Sequence, residues 1–438
     1  MEKNRPFPAK SIFAGATASL MLLAACGGSD ASGDGTQEIT FLTHWDPDQV
    51  SQLEDASARF SEDNPDIKID VQPVPFANLL STLRTQGSSP NGPTIASIYD
   101  LWLPELARDT LAAQMPEDVA SDIRSNWPEN LLEAASVDDD LYGIPNEVNL
   151  YALNYNTRLF EEAGIEGPPE TWDELKEYAI TLADESEGVQ GFGVITNWDS
   201  GVVHPFLSLA ASNNGYLLDD SGQSALTEPN TQAVAELYEE LIESGATDTD
   251  LSAADANTTG PYLDAFANGK TGMIIMANWW QSALQEAMGD DFDNVATAPI
   301  PVGPDGDKAS GISYSWMTIV NDNATDEQQE AAWKFLNWLN GPDSGHNGSS
   351  AMGDILMGMG ILPSSESDVE AHDDQLSDPF VQTYVDGLPD ATPFPTVIGG
   401  ADATQQLQEQ VELLDFQEVD AQTAMENADE SVNAALNQ

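Results

Sequence analysis

From Glu38 onward the chain alternates short apolar runs with segments of helical period. Ile39 to Trp45 (ITFLTHW) reads as a strand, and Gln49 to Glu62 carries apolar residues at Val50, Leu53, Ala56 and Phe60, one face of a helix. Ile67 to Val71 predicts a second strand, residues 76–86 a helix, Thr94 to Tyr99 a third strand and Leu103 to about Ala113 a helix. This βαβαβ series predicts a mostly parallel sheet flanked by helices. Met115 to Asp140, rich in Pro and Asp, interrupts the regularity.

A second α/β series starts at Asn149. Tyr151, Leu153 and Tyr155 alternate as in a strand, and Thr171 with Glu174 forms a capping box at a helix start. Strand-like runs at Phe192 to Ile195 and Gly272 to Met276 bracket helices near 201–211 and 230–244, the latter opened by Pro229 and closed by Gly245. Ala309 to Val320 reads as extended, Thr325 opens a helix with a second capping box to Gln328, and the chain beyond 343 reads almost wholly helical. Two such sheets predict an α/β protein of two lobes. Ligands of these folds sit in the crevice outside the carboxyl ends of the strands.

The charge balance removes one large class of function. The 438 residues include 13 Lys+Arg against 75 Asp+Glu, a formal net charge of −62. A nucleic-acid binder needs clustered basic residues to displace counterions, and here they are scattered singly. The chain is no disordered acidic tail either, because 41% of it is apolar and the carboxylates are spread through periodic segments.

Residues 1–25 read as an export signal: Lys3, Arg5 and Lys10 precede an apolar run from Ile12 to Ala24, too short for a bilayer core of about 30 Å. Leu23-Ala24-Ala25-Cys26 resembles the bacterial lipobox, whose cysteine takes a diacylglyceryl group. Cys26 is the sole cysteine, so no disulfide forms within the chain, and residues 26–37 are Gly/Ser/Asp-rich, as in a flexible linker behind an anchor. The expected setting is the outer face of a bacterial cell membrane, with the body held by lipid at Cys26.

Catalytic patterns are lacking. The four histidines, His44, His204, His346 and His372, have no metal-ligand spacing, and there is no nucleophile elbow, P-loop or dinucleotide fingerprint. Asp138-Asp139-Asp140 lacks the spacing of a calcium loop and reads as a solvated turn. No enzymatic activity, cofactor or metal is expected. The tryptophans say more. Trp172, Trp333 and Trp338 lie in helical patterns and read as core, whereas Trp45, Trp102, Trp198, Trp279, Trp280 and Trp316 lie in or beside strands and turns, most with a polar neighbour: Asp46, Asp100, Asp199, Asn278, Ser315. Sugar rings present a flat C–H face and a fringe of hydroxyls, so they are held by aromatic platforms with carboxyls and amides in the ring plane. One platform removing about 100 Å² of apolar surface contributes about 2.5 kcal/mol, and two or three support micromolar binding, which needs about −8 kcal/mol. No Lys or Arg lies in these turns, which disfavours an anionic solute; carboxylates in an aromatic box also fit a cation such as a polyamine.

Several segments carry a family resemblance: Tyr142-Gly143-Ile144-Pro145, Leu153-Asn154-Tyr155-Asn156, Leu159 to Gly164 (LFEEAG), Pro168 to Leu175 (PPETWDEL), Phe266 to Lys270 (FANGK) leading to Met273 and Trp279, Ala332 to Leu336 (AWKFL) and Gly360-Ile361-Leu362-Pro363. In order and spacing, over essentially the whole mature chain, they resemble the extracellular solute-binding proteins of ABC sugar importers, the maltose and oligosaccharide group. The resemblance implies a periplasmic-binding-protein-like fold of type II, with lobes of 38–149 plus 299–340 and 150–298 plus 341–438. Hinges fall near Asn149 to Ala152, Ala298 to Val302 and Leu339 to Pro342. It implies a carbohydrate ligand, a membrane permease as partner and a monomer. By position, Trp45 and Asp46 match the loop after the first strand and Asp100 and Trp102 the loop after the third. Glu147 matches a ligand-contacting carboxylate beside the first hinge, which contains Tyr151, and Trp279 matches a platform. Trp198, Trp280 and Trp316, with Asp199 and Ser315 beside them, match regions only. Where maltodextrin binders often carry an aromatic, this chain has Gly399-Gly400-Ala401, which argues for a differently shaped cleft end. A glycoside-acting enzyme or a structural surface lipoprotein is the remaining alternative, and the acidity points to a halotolerant source.

Overall fold

The computed structural model describes residues 36–89, 92–138, 140–196, 201–251, 260–342 and 344–437. The signal segment and Cys26 lie outside them. The strands are β1 (Gln37–Thr43), β2 (Ile67–Pro73), β3 (Ile95–Tyr99), a two-residue hairpin of β4 (Ser136–Val137) and β5 (Asp140–Leu141), β6 (Gly143–Asn156), β7 (Gln190–Gly193), β8 (Thr271–Ala277), β9 (Val295–Ala298), β10 (Ile312–Val320), β11 (Leu362–Pro363) and β12 (Thr392–Pro393). They run in the order β2-β1-β3-β10-β6-β8-β7, with β9 and β11 on β6 and β12 on β10.

The sheet has two parts that share β6. Gly143 to Leu150 of that strand pair with β10, whereas Tyr151 to Asn156 pair with β8 and β9. The partner changes between Leu150 and Tyr151. Both parts are mixed rather than mostly parallel. Strands joined by helical crossovers, β1 with β2 and β3, and β7 with β8, are parallel, but β10 runs antiparallel to β3 and β6. The reason is connectivity: β10 enters the first part from the second, and only a helical return on the same sheet imposes parallel pairing.

β3 and β8 are mostly apolar because helices cover both faces. All five residues of β3 and all seven of β8 are buried. The helix Pro47–Asp63 buries Val50, Leu53, Ala56 and Phe60, the stripe that its sequence predicts. At Thr325 both arms of the capping box form. At Thr171 the hydroxyl accepts from the Glu174 amide, but the Glu174 carboxylate reaches one residue further back, to the amide of Glu170.

The stretch after 341, expected wholly in the second lobe, is divided. The helix Ala351–Gly358 packs against Pro47–Asp63, and β11 pairs with Glu147 and Val148, both in the first part. The helices Gly400–Asp415 and Ala421–Leu436 pack on Pro229–Glu243 in the second. An amphipathic period says that a helix covers a sheet, not which sheet.

Candidate functional site

The loops that leave β1, β3 and β8 converge on the face of β6 and β10. Trp316 stands opposite both Tyr99 and Glu147 across neighbouring strands, with a bulge between Trp316 and Met317. Directly opposed residues share a face, so Tyr99 stacks on Trp316 at 5.9 Å and 24°. Trp316 also meets His44 at 4.0 Å, Trp102 at 5.7 Å and Phe76 at 5.9 Å. Two positions along β10, Tyr314 contacts Tyr99, Tyr151 and His204, and its hydroxyl accepts from Trp279 Nε1 at 2.8 Å. His204 lies on the helix Val203–Ala211, and Phe394, just after β12, packs edge-on against it. The cluster therefore draws on both parts of the sheet.

Two buried carboxyls border these rings. The oxygens of Asp100 accept one each from the amides of Ser315 and Leu101, both at 2.7 Å. Ser315 Oγ donates to the Glu147 carbonyl. A chain of amides fixes Glu147: Leu150 N–H donates to Asn278 Oδ1, Asn278 Nδ2 to Asn149 Oδ1, and Asn149 Nδ2 to Glu147 Oε1 at 3.0 Å. Burial pushes Asp100 up to about 7, against the pull of its two amide bonds. It pushes Glu147 up to about 8; the Asn149 bond opposes this and the Asp100 charge adds to it. Among the described residues no cation pairs with either. Burial also lowers His44 to about 4, and its Nδ1 has no hydrogen-bond partner.

Of the residues expected at the site, the structure brings together Asp100, Trp102, Glu147, Tyr151, Trp279, Ser315 and Trp316. It does not bring Trp45, Asp46 or Trp280. Trp45 is buried in the hydrophobic core and Asp46 is exposed at the start of the helix Pro47–Asp63. At the extended end of β1 adjacent side chains point opposite ways, and it is His44 that meets Trp316. Trp280, fully buried, packs on Phe266 at 5.2 Å, because one step along a helix start turns a side chain by about 100° away from Trp279. Trp198 and Asp199 lie outside the described residues. The expected gap at Gly399-Gly400 has a reason: Gly399 has a φ of +79°, and a Cβ there would lie 2.8 Å from the Ala435 carbonyl oxygen.

This arrangement offers flat apolar faces beside buried carboxyls and amides, a setting for a solute with an apolar face and a polar edge. A profile of the family described as bacterial extracellular solute-binding protein matches residues 46–345. The chain belongs to that family. A binding protein of Brucella abortus is 27% identical over 74% of this chain and 76% of its own length. A diacetylchitobiose binding protein of Streptomyces coelicolor is 26% identical over 74% and 75%. In fold, the solute-binding chain is similar to the maltose-bound MalE3 of T. maritima, with a TM-score of 0.77 and 21% identity over 91% of this chain and all of that one. Family membership places the solute-binding body outside the cytoplasm, and no helix among the described residues is long and apolar enough to cross a membrane.

Sequence reasoning missed His44, Phe76, Tyr99, His204, Tyr314 and Phe394 as members of the cluster. For Tyr99 and Tyr314 a signal existed. Tyr314 lies two residues from Trp316 on β10 and so shares its face, and Tyr99 stands directly opposite Trp316 on the neighbouring strand. Nothing local distinguishes His204 or Phe394, whose placement depends on packing between distant segments.

Proposed function

We propose that this solute-binding protein captures a carbohydrate between two lobes and delivers it to an ABC permease. The observation that carries the reading is the ring cluster around Trp316 and Tyr314, bordered by Glu147 and Asp100 and built from both parts of the sheet. The diacetylchitobiose and maltose in the names of its relatives agree with it. The lobes in this reading are 38–149 with 299–340 and 150–298 with most of 341–438, the stretch through Glu366–Ala371 being reassigned to the first. The hinge in β6 lies at Leu150 and Tyr151. The ligand-contacting set is Asp100, Trp102, Glu147, Tyr151, Trp279, Ser315 and Trp316, with Tyr99, Tyr314 and His44 added. Titration of tryptophan fluorescence with mono- and oligosaccharides tests the reading: a saturable change with one of them is expected, and none with any would overturn it.

A second reading follows from the absence of a cationic partner for Asp100 and Glu147 among the described residues: the same cleft taking a polyamine. Its affinity would fall steeply between 0.05 and about 0.5 M salt, where that of a neutral sugar stays level.

The receptor is taken to be a monomer held by lipid at Cys26. Cys26→Ser is expected to release the protein from the membrane fraction into the medium, measured by fractionation of expressing cells; retention on the membrane would refute the anchor. The net charge of −62 fits a saline medium, where at 1 M salt the Debye length is about 3 Å and carboxylate repulsion is screened. The melting temperature is expected to rise by several degrees from low to molar salt. A flat profile by scanning calorimetry would count against a halotolerant source.

A further inference from the structure

We propose that Asn278 is a positioning residue of the candidate site: from the end of β8 it fixes, through Asn149, the orientation of the Glu147 carboxyl, so that Oε1 is turned to the protein and Oε2 is the oxygen that a solute hydroxyl meets. The inference rests on the carbohydrate reading and adds to it a residue that acts without touching the solute.

The hydrogen bonds allow one polarity. Asn278 follows β8 and clasps Leu150 where β6 changes partner: its amide donates to the Leu150 carbonyl at 3.3 Å, and its Oδ1 accepts from the Leu150 amide at 2.9 Å. A backbone amide can only donate, so Oδ1 is the side-chain atom that faces it, and Nδ2 faces the other way. Nδ2 then donates to Asn149 Oδ1 at 3.3 Å, which leaves Asn149 Nδ2 to donate to Glu147 Oε1 at 3.0 Å. Turning either side chain over would set two donors face to face. Each amide in the row is oriented by the one before it, and the first is oriented by the main chain.

Asn149 and Asn278 are each 1% exposed and Glu147 is 4% exposed, so bulk water does not stand in for a bond lost from the row. Oε2 takes no hydrogen bond from the described residues, and a proton held by the carboxyl sits on it, since Oε1 already accepts from Asn149. The Asn149 bond favours the charged form and burial disfavours it, which leaves Glu147 at about 8. Its titrating neighbours are Asp100, on the turn after β3, and Tyr314 on β10; His44 packs on Trp316, the residue opposite Glu147, and β8 and β11 bring none. Glu147 pairs in the first part of the sheet and β8 belongs to the second. The row therefore carries a position in one part to a carboxyl in the other.

The test uses the full chain. Its first readout needs no solute: chemical denaturation over pH, with each protein compared with its Glu147→Gln partner so that only the Glu147 proton remains in the difference. The folded value is raised, so this contribution is lost as pH rises through about 8. Asn149→Ala adds no titrating group and keeps the bonds between Leu150 and Asn278. It should move the loss to a pH about 0.5 to 1 higher, as for the removal of one hydrogen bond to the charged form. Asn278→Ala, which frees Asn149 to turn, should move it the same way by less. The second readout is calorimetric titration with maltose and N,N′-diacetylchitobiose. Each variant should weaken binding about three- to tenfold, as for a side chain no longer held in place, but by less than about twofold where Glu147 is already Ala. A fall in stability equal at every pH, with the loss left at about 8, overturns the inference, as does a binding cost that is the same in the Glu147→Ala protein. A profile moved by Asn149→Ala and not by Asn278→Ala overturns the role of Asn278. Binding of neither probe counts against the carbohydrate reading, while the pH profile still decides the role of Asn278.

Discussion

Trp316→Ala is expected to weaken sugar binding about 50- to 100-fold. Trp316 is the hub of the cluster, touching His44, Phe76, Tyr99 and Trp102, and it is only partly buried. Loss of about 100 Å² of apolar contact accounts for about 2.5 kcal/mol, about 70-fold and the middle of that range. Calorimetric titration well below the melting temperature separates this from instability. An affinity within threefold of wild type would remove Trp316 from the site.

Raising the pH from about 6.5 to 8.5 is expected to destabilise the ligand-free protein, and Glu147→Gln to remove about 2 kcal/mol of that loss. Glu147 and Asp100 both have folded values raised above the usual carboxylate range, to about 8 and about 7. The folded state holds their protons more tightly than the unfolded chain does, so their contribution is complete below about pH 4 and is lost as pH rises through the folded values. His44 works in the opposite sense. Its folded value is lowered to about 4, so it adds stability between there and 6.5 and offsets part of the carboxyl loss in that window. Above 6.5 nothing offsets it, and the slope is steepest there. Glu147 is the better position to change, since Gln keeps the acceptor for Asn149 Nδ2, whereas Asn at 100 would set an NH₂ against one of two amide donors. Chemical denaturation at a series of pH values checks this; an unchanged slope in Glu147→Gln would contradict a buried neutral acid.

Much of the fold is legible in the residues because period and caps are local. The stripe from Val50 to Phe60, the helix after Thr325 and the mostly apolar β3 follow from spacing alone. The antiparallel entry of β10 and the return of β11 to Glu147 are not local, since they depend on which part of the sheet a segment comes back to. Part of the candidate cluster is legible, Trp102, Trp279 and Trp316 among it, whereas His204 and Phe394 arrive by packing between distant segments. The choices of Trp45 over His44 and of Trp280 beside Trp279 fall on loops that reach the cluster, but the face that a side chain takes at a strand end or helix start is set by the backbone around it. The carboxyls Asp100 and Glu147 were readable as polar residues near platforms. Their raised pKa values were not, because these come from burial in the folded chain.

The position of a bound sugar tests the central claim most directly. In a crystal structure with a sugar that saturates the fluorescence change, the account predicts a pyranose ring on the faces of Trp316 or of Tyr151 and Tyr314, with Glu147 within hydrogen-bond reach of its hydroxyls. A solute bound away from these rings, or a cation seated between Asp100 and Glu147 with no ring on the aromatic faces, would contradict it.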